Sequence, residues 1–155
     1  MSMNRTFRPI LLAEDNANDV ELILAAFQEA KLANEIVVTR DGEAALDYLY
    51  RRGEHAGRKT AAPALVLLDL KMPRVDGREV LRQIRQDPNL KTIPVVVLTS
   101  SKEDNDLLQT YELGTNAYVV KPVAFNDFIS AVSKVGVFWV LLNELPPTSA
   151  TELPD

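Results

Sequence analysis

Three acids stand where apolar runs end. Glu14 and Asp15 follow Ile10–Ala13, and Asp69 closes the run Ala64–Leu68. Two further apolar runs end in hydrogen-bond donors: Ile93–Thr99 leads into the hydroxyls of Thr99 and Ser100, and Ala117–Val120 into Lys121. Carboxylates brought within a few ångströms repel one another, by roughly 4 kcal/mol per pair at 4 Å and an effective dielectric near 20. A raised pKa or a bound cation relieves that repulsion. Oxygen ligands without His or Cys favour a hard ion, and a small site that keeps several waters favours Mg²⁺ over Ca²⁺. A metal on one side, with an ammonium and a hydroxyl on the others, makes a cradle for a tetrahedral dianion. An aspartate can itself be the nucleophile, through an acyl phosphate. Asp69, alone at the end of its strand, is the natural candidate, which leaves Glu14 and Asp15 to hold the metal.

The elements that must gather these residues can be read from periodicity. Continuous aliphatic or β-branched runs bounded by turn residues indicate strands covered on both faces. Five are present: Phe7–Ala13, Ile36–Thr39, Ala64–Leu68, Ile93–Thr99 and Ala117–Val120. Between the first two, Val20, Ile23, Leu24 and Phe27 repeat at helical spacing. Ala44–Tyr50 and Val80–Ile84 behave likewise, each entered through an Asp-Gly pair, and Asp76 with Glu79 fits a capping box. Leu107–Leu113 reads as a polar helix ending at Gly114, and Phe125, Phe128, Ile129 and Val132 form a last stripe. Strict β–α alternation calls for an α/β fold, a doubly wound five-stranded parallel sheet with helices on both faces. Ligands in such folds sit at the carboxyl edge of the strands, the edge where all the polar termini fall.

The chain's 155 residues suit one domain with a real core, and the absence of cysteine removes disulfides and thiol chemistry. A net charge of −5 argues against a nucleic-acid partner. No apolar run approaches the roughly 20 residues of a membrane span. The start, MSMNRTFRPILLAED, turns acidic too early for a signal peptide, so a cytoplasmic protein is expected. The expected organisation is an arm over 1–6, a domain over 7–138, and an apolar extension with a Pro-rich tail over 139–155.

LLAEDN (11–16), LVLLDLKMPRVDG (65–77), VVVLTSS (95–101) and AYVVKP (117–122) together resemble the four landmarks of the response-regulator receiver domain of two-component signalling, over about residues 7–135. The resemblance implies a flavodoxin-like sheet of order 2-1-3-4-5, with Asp69 accepting a phosphoryl group from a sensor histidine kinase. It implies that Asp15, Asp69 and the backbone carbonyl of Lys71 bind Mg²⁺ directly, with Glu14 acting through water. Thr99 and Lys121 would contact the phosphoryl oxygens, Tyr118 would swing inward as Thr99 moves, and Lys121-Pro122 would be a cis peptide. The insertion RRGEHAGRKTAAPA and the C-terminal FWVLLNELPP are similar to single-domain response regulators of bacterial phytochrome kinases. That narrower resemblance implies a homodimer through the last helix and C-terminal extension; the apolar run Val137–Leu142 either helps to cover that second subunit or folds back on its own domain.

Each residue has a plainer role to weigh. Asp76 reads as a helix cap, Thr99 could merely end a strand, and Tyr118 is balanced between packing and switching. His55 reads as a surface residue, as do Arg51, Arg52, Arg58 and Lys59. Lys71 could overhang the phosphate and alter its lifetime. Two rival functions remain: an aspartyl-nucleophile phosphatase of the haloacid-dehalogenase type, and a phosphate-independent interaction module. The first needs an acid two residues after Asp69, where this chain has Lys71. No Gly-rich phosphate loop follows the first strand, which disfavours a nucleotide or flavin binder.

Overall fold

The structure is a computed structural model and describes residues 8–30, 34–59, 62–99, 114–115, 117–121 and 126. Five strands form one parallel sheet of order β2-β1-β3-β4-β5. They are β1 (Ile10–Ala13), β2 (Ile36–Thr39), β3 (Leu65–Asp69), β4 (Val95–Thr99) and β5 (Ala117–Val120). The described helices are α1 (Ala17–Ala30), α2 (Gly42–Tyr50) and α3 (Gly77–Gln86). The expected polar helix, the last helix, the apolar run after it and the Lys121-Pro122 peptide lie outside the described residues.

Two of the apolar runs are longer than the strands they form, and proline explains where pairing starts. Pro9 and Pro94 have no N–H to give to a ladder. Each instead supplies a carbonyl, Pro9 to the N–H of Ala64 at 2.8 Å and Pro94 to that of Val66 at 3.0 Å. The strands proper therefore begin at Ile10 and Val95. Ile93 is buried but remains outside the sheet.

Side chains along a strand alternate between faces, and the core divides accordingly. Ile10, Leu12, Leu65, Leu67, Val96, Leu98, Ala117 and Val119 pack against Val20, Ile23 and Phe27 of α1. Leu11, Ala13, Val66, Leu68, Val95 and Val97 pack on the other face against Leu46 and Leu49 of α2 and Val80, Leu81 and Ile84 of α3. Burying each such side chain is worth about 1.5–3 kcal/mol. At the edge, β2 is only half-buried until Thr39.

Helix starts are fixed by side-chain oxygens. Asn16 Oδ1 accepts from the N–H of Asp19 at 2.9 Å, Asp41 Oδ1 from that of Ala44 at 2.7 Å, and Asp76 Oδ1 from that of Glu79 at 3.0 Å. The capping box at Asp76 is half made. Glu79 turns away from the cap and binds Arg82 and Gln83 on its own helix. Its carboxyl lies near 2, because the Arg82 guanidinium and the Gln83 amide bond to its charged form.

The Asp-Gly pairs are not turns that need an unusual glycine conformation. Among the described residues, the positive-φ glycines are Gly53 and Gly114. Gly42 and Gly77 are instead required for space. A Cβ on Gly42 would lie 1.7 Å from the carbonyl oxygen of Val75, and one on Gly77 would lie 2.2 Å from that of Asp69. The start of α3 thus rests on the backbone of Asp69, with the Gly77 N–H donating to Leu70 O at 2.9 Å.

At the opposite edge of the sheet, one arginine ties three segments together. Arg85, at the end of α3, donates to the carbonyls of Lys91 (2.9 Å), Ile93 (2.8 Å) and Gly114 (2.7 Å). Beside it, the Thr115 hydroxyl bonds Val95 O at 3.2 Å and Ala117 O at 2.9 Å. The starts of β4 and β5 are thereby laced to α3.

Candidate functional site

Four strands deliver their ends to one place. Glu14 and Asp15 follow β1, Asp69 ends β3, Thr99 ends β4 and Lys121 follows β5. Asp69 pairs in register with Leu98, and Thr99 with Val120, which staggers the polar ends along the carboxyl edge. The backbone N–H of Lys121 donates to Thr99 O at 2.8 Å, and that of Glu14 to Thr39 O at 3.0 Å.

Glu14, Asp15 and Asp69 each present a carboxylate oxygen such that the three lie within 4.8 Å of one another. Glu14 is wholly buried, Asp69 nearly so, and Asp15 is exposed. Burial first, and then the contact with Asp69, push the Glu14 carboxyl up to about 7, against the pull of the Asn16 N–H and of Lys121. The Lys121 ammonium lies 3.1 Å from Glu14 Oε1, 3.4 Å from Asp69 Oδ2 and 2.9 Å from Asp19 Oδ2. Burial works to lower its pKa, but the bond to Asp19 and the charges of Asp69 and Glu14 outweigh burial and raise it. Asp69 Oδ1 accepts from the backbone N–H of Lys71 at 3.2 Å.

The carboxylates expected from the sequence are brought together, and Lys121 reaches them. Thr99 is buried at the end of its strand. Lys71 is exposed, with its backbone held to Asp69. Tyr118 points out of the sheet and is 36% exposed, so it is no part of the core in this conformation. Asp19 was not expected here. Its spacing in α1 reads as an ordinary first-turn acid, and the signal that could have found it is its position one helical turn after Asp15, above the same sheet edge.

Arg51, Arg52 and Lys59 are exposed as expected, while the half-buried Arg58 folds back onto the end of α2. The Arg58 guanidinium stacks 4.3 Å from the Tyr48 ring centroid and donates to Tyr48 O at 3.0 Å, at the end of α2. Arg52 pairs with Asp47 at 2.8 Å, and Arg51 donates to Arg58 O at 3.3 Å. His55 meets the edge of the Tyr48 ring at 5.1 Å between centroids. These contacts close the C-terminal end of α2.

The family description "Response regulator receiver domain" matches residues 10–133. The chain belongs to the response-regulator receiver family. Its sheet order is that of the flavodoxin-like receiver fold. The receiver is 45% identical over 137 residues to "Probable methanogenesis regulatory protein FilR2" of Methanothrix harundinacea, covering 88% of this chain and 86% of that protein. It is 40% identical over 137 residues to "Response regulator Rcp1" of Synechocystis, covering 88% and 92% of the two chains. A solved structure of Rcp1, described as its Mn²⁺-bound form, superposes with a TM-score of 0.72 at 40% identity over 90% of this chain and 99% of that one. The bacteriophytochrome response regulator AtBRR superposes with a TM-score of 0.83 at 56% identity, over 90% of this chain and all of that one. The receiver's close relatives thus include single-domain phytochrome response regulators.

The donor set fits a divalent cation. Oxygen ligands suit a hard ion. Burial, and then the contact with Asp69, disfavour the charged form of Glu14, and a metal at the cluster would favour it.

Proposed function

We propose that this chain is a single-domain response regulator in which Asp69 accepts a phosphoryl group from the phosphohistidine of a sensor kinase. The observation that carries the reading is the position of Asp69: a nearly buried carboxylate, 3.4 Å from the Lys121 ammonium and within 4.8 Å of Glu14 and Asp15. Transfer forms an O–P bond to Asp69 as the P–N bond breaks, and the imidazole keeps the electron pair. In discharge, water attacks phosphorus, the P–O bond to Asp69 breaks, and the carboxylate and inorganic phosphate return.

Asp15, Asp69 and the Lys71 carbonyl would hold Mg²⁺, with Glu14 behind them, and the ion would supply positive charge to the phosphoryl oxygens. The chain's own residues do the rest. Lys71 N–H fixes one Asp69 oxygen, Lys121 faces the other, and Thr99 supplies a hydroxyl from the adjacent strand. The phosphoryl group adds a charge of roughly −1.5 to −2. That charge draws Thr99 and Lys121 toward Asp69 and biases a pre-existing equilibrium of β5, with Tyr118 turning inward. The output is a change in protein contacts, including a homodimer through the last helix and C-terminal extension, with no DNA contact. The similarity to AtBRR supports a bacterial phytochrome kinase as partner, in the cytoplasm. Among the described residues no helix is long and apolar enough to cross a membrane.

Acetyl phosphate with Mg²⁺ should give acid-labile labelling of the protein that Asp69→Asn abolishes; undiminished labelling of the variant refutes the assignment. Exposed Lys71, where a dehalogenase-type phosphatase needs its acid, weighs against turnover of small phosphoesters. An assay with a generic phosphoester tests that rival, and efficient turnover would favour it.

A further inference from the structure

Lys121 has one partner that phosphoryl transfer does not need. Asp19 Oδ2 is 2.9 Å from the ammonium, nearer than Glu14 at 3.1 Å or Asp69 at 3.4 Å. A lysine ammonium has three N–H donors, and these three carboxylates use them all. A phosphoryl oxygen arriving at Asp69 must therefore take a donor from one of them.

Release is unequal in cost. The Glu14 side chain is 0% exposed and also accepts from the Asn16 N–H at 3.1 Å. Leaving it without its cation would strand a charge away from water. Asp69 is itself the acceptor of the new group. The Asp19 side chain is 23% exposed and its helix position is fixed by the Asn16 cap, so water can replace the ammonium there. Until that exchange occurs, Asp19 holds the ammonium on the α1 side of the site.

We propose that Asp19 is a positioning residue that restrains Lys121, its carboxylate competing with the phosphoryl group on Asp69 for the lysine ammonium. The inference rests on the phosphoacceptor reading of Asp69. It assigns to a side chain in the first turn of α1 a part in setting how strongly the charged site is held closed.

Beryllofluoride with saturating Mg²⁺ is the probe, and binding by calorimetry is the readout. Asp19→Asn keeps the size of the side chain and removes its charge. It should tighten beryllofluoride binding about fivefold, the scale of a partly exposed ion pair. Asp19→Glu, which keeps the charge, should stay within about twofold of wild type on the same scale. In a Lys121→Met background the effect of Asp19→Asn should vanish, because the restraint acts through Lys121. An equal gain in that background would mean that Asp19 acts only as a distant charge, and unchanged or weaker binding by Asp19→Asn alone would equally overturn the proposal.

A second readout does not depend on the folding of the Lys121 variant. In ¹⁵N-lysine-labelled protein without metal, the Lys121 ammonium signal should exchange slowly with water in wild type and faster in Asp19→Asn. Equal exchange rates refute the restraint. Wild-type protein that fails to bind beryllofluoride, or Asp69→Asn that binds it as well as wild type, refutes the phosphoacceptor reading and this inference with it.

Discussion

The acidic cluster predicts an unusual response to pH, and Asp69→Asn exposes it. In the fold the Glu14 carboxyl titrates near 7 rather than at 4.5, because it is buried and faces Asp69. A shift of that size corresponds to about 3 kcal/mol. The folded protein binds the extra proton, so the contribution is fully present below pH 4.5 and is lost as pH rises through 7. Metal-free wild type should therefore lose about 3 kcal/mol from this group between pH 4.5 and 8. Asp69 supplies part of the shift and burial the larger part. The carboxylate oxygens lie within 4.8 Å, where the bare repulsion would be at least about 3.5 kcal/mol at a dielectric of 20, and the Lys121 ammonium bonded to both offsets much of it. With burial the larger cause, Asp69's share is about 1–1.5 kcal/mol. The Asn variant should accordingly lose only about half as much stability over the same range.

Urea unfolding in EDTA at several pH values measures both slopes. Comparison of the two proteins cancels titrations that they share. Saturating Mg²⁺ should bind the ionised cluster and flatten the wild-type decline, adding about 2.7 kcal/mol at a hundredfold excess over Kd. The same addition should help the Asn variant much less. Parallel pH profiles for the two proteins, or equal stabilisation of both by Mg²⁺, would refute the electrostatic account of the site.

Other substitutions test the supports around it. Gly77→Ala drives a methyl into the Asp69 carbonyl at 2.2 Å; it should cost about 2–3 kcal/mol in urea unfolding and weaken Mg²⁺ binding as Asp69 shifts. Asp76→Ala should cost about 1 kcal/mol by loss of the cap, while Glu79→Ala should cost under about 0.5 kcal/mol because Glu79 does not return to the helix start. Leu81→Ala empties a fully buried position of α3 and should cost about 2–5 kcal/mol. Beryllofluoride binding by that variant should survive at low temperature, since Leu81 belongs to the apolar core and not to the carboxylate cluster.

Much of this arrangement was legible because strands buried on both faces leave continuous apolar runs, and because a parallel sheet sends every strand's carboxyl end the same way. β2 and β5 fall on the expected residues for that reason. Strand starts were less legible: the run at Ile93 is apolar through its first residue, and only the missing N–H of Pro94 moves the ladder to Val95. Glu14, Asp69 and Lys121 could be assembled from the order of elements. Asp19 could not, since 102 positions separate it from Lys121 and first-turn acids commonly serve their own helix. The Asp-Gly pairs show a similar limit. Composition marks a glycine, but only packing reveals that Gly42 and Gly77 make room for another backbone.

The grip of Arg85 on three carbonyls governs what kind of movement this sheet allows. With the starts of β4 and β5 clamped to α3, neither strand can slide along its neighbour without breaking bonds far from Asp69. Displacement must grow with distance from the clamp, like the free end of a reed. Thr99 and Lys121 sit at the far end, joined there by the Lys121 N–H to Thr99 O bond, so under the proposed phosphorylation a pull on their side chains would tilt the ends of β4 and β5 together rather than change their register.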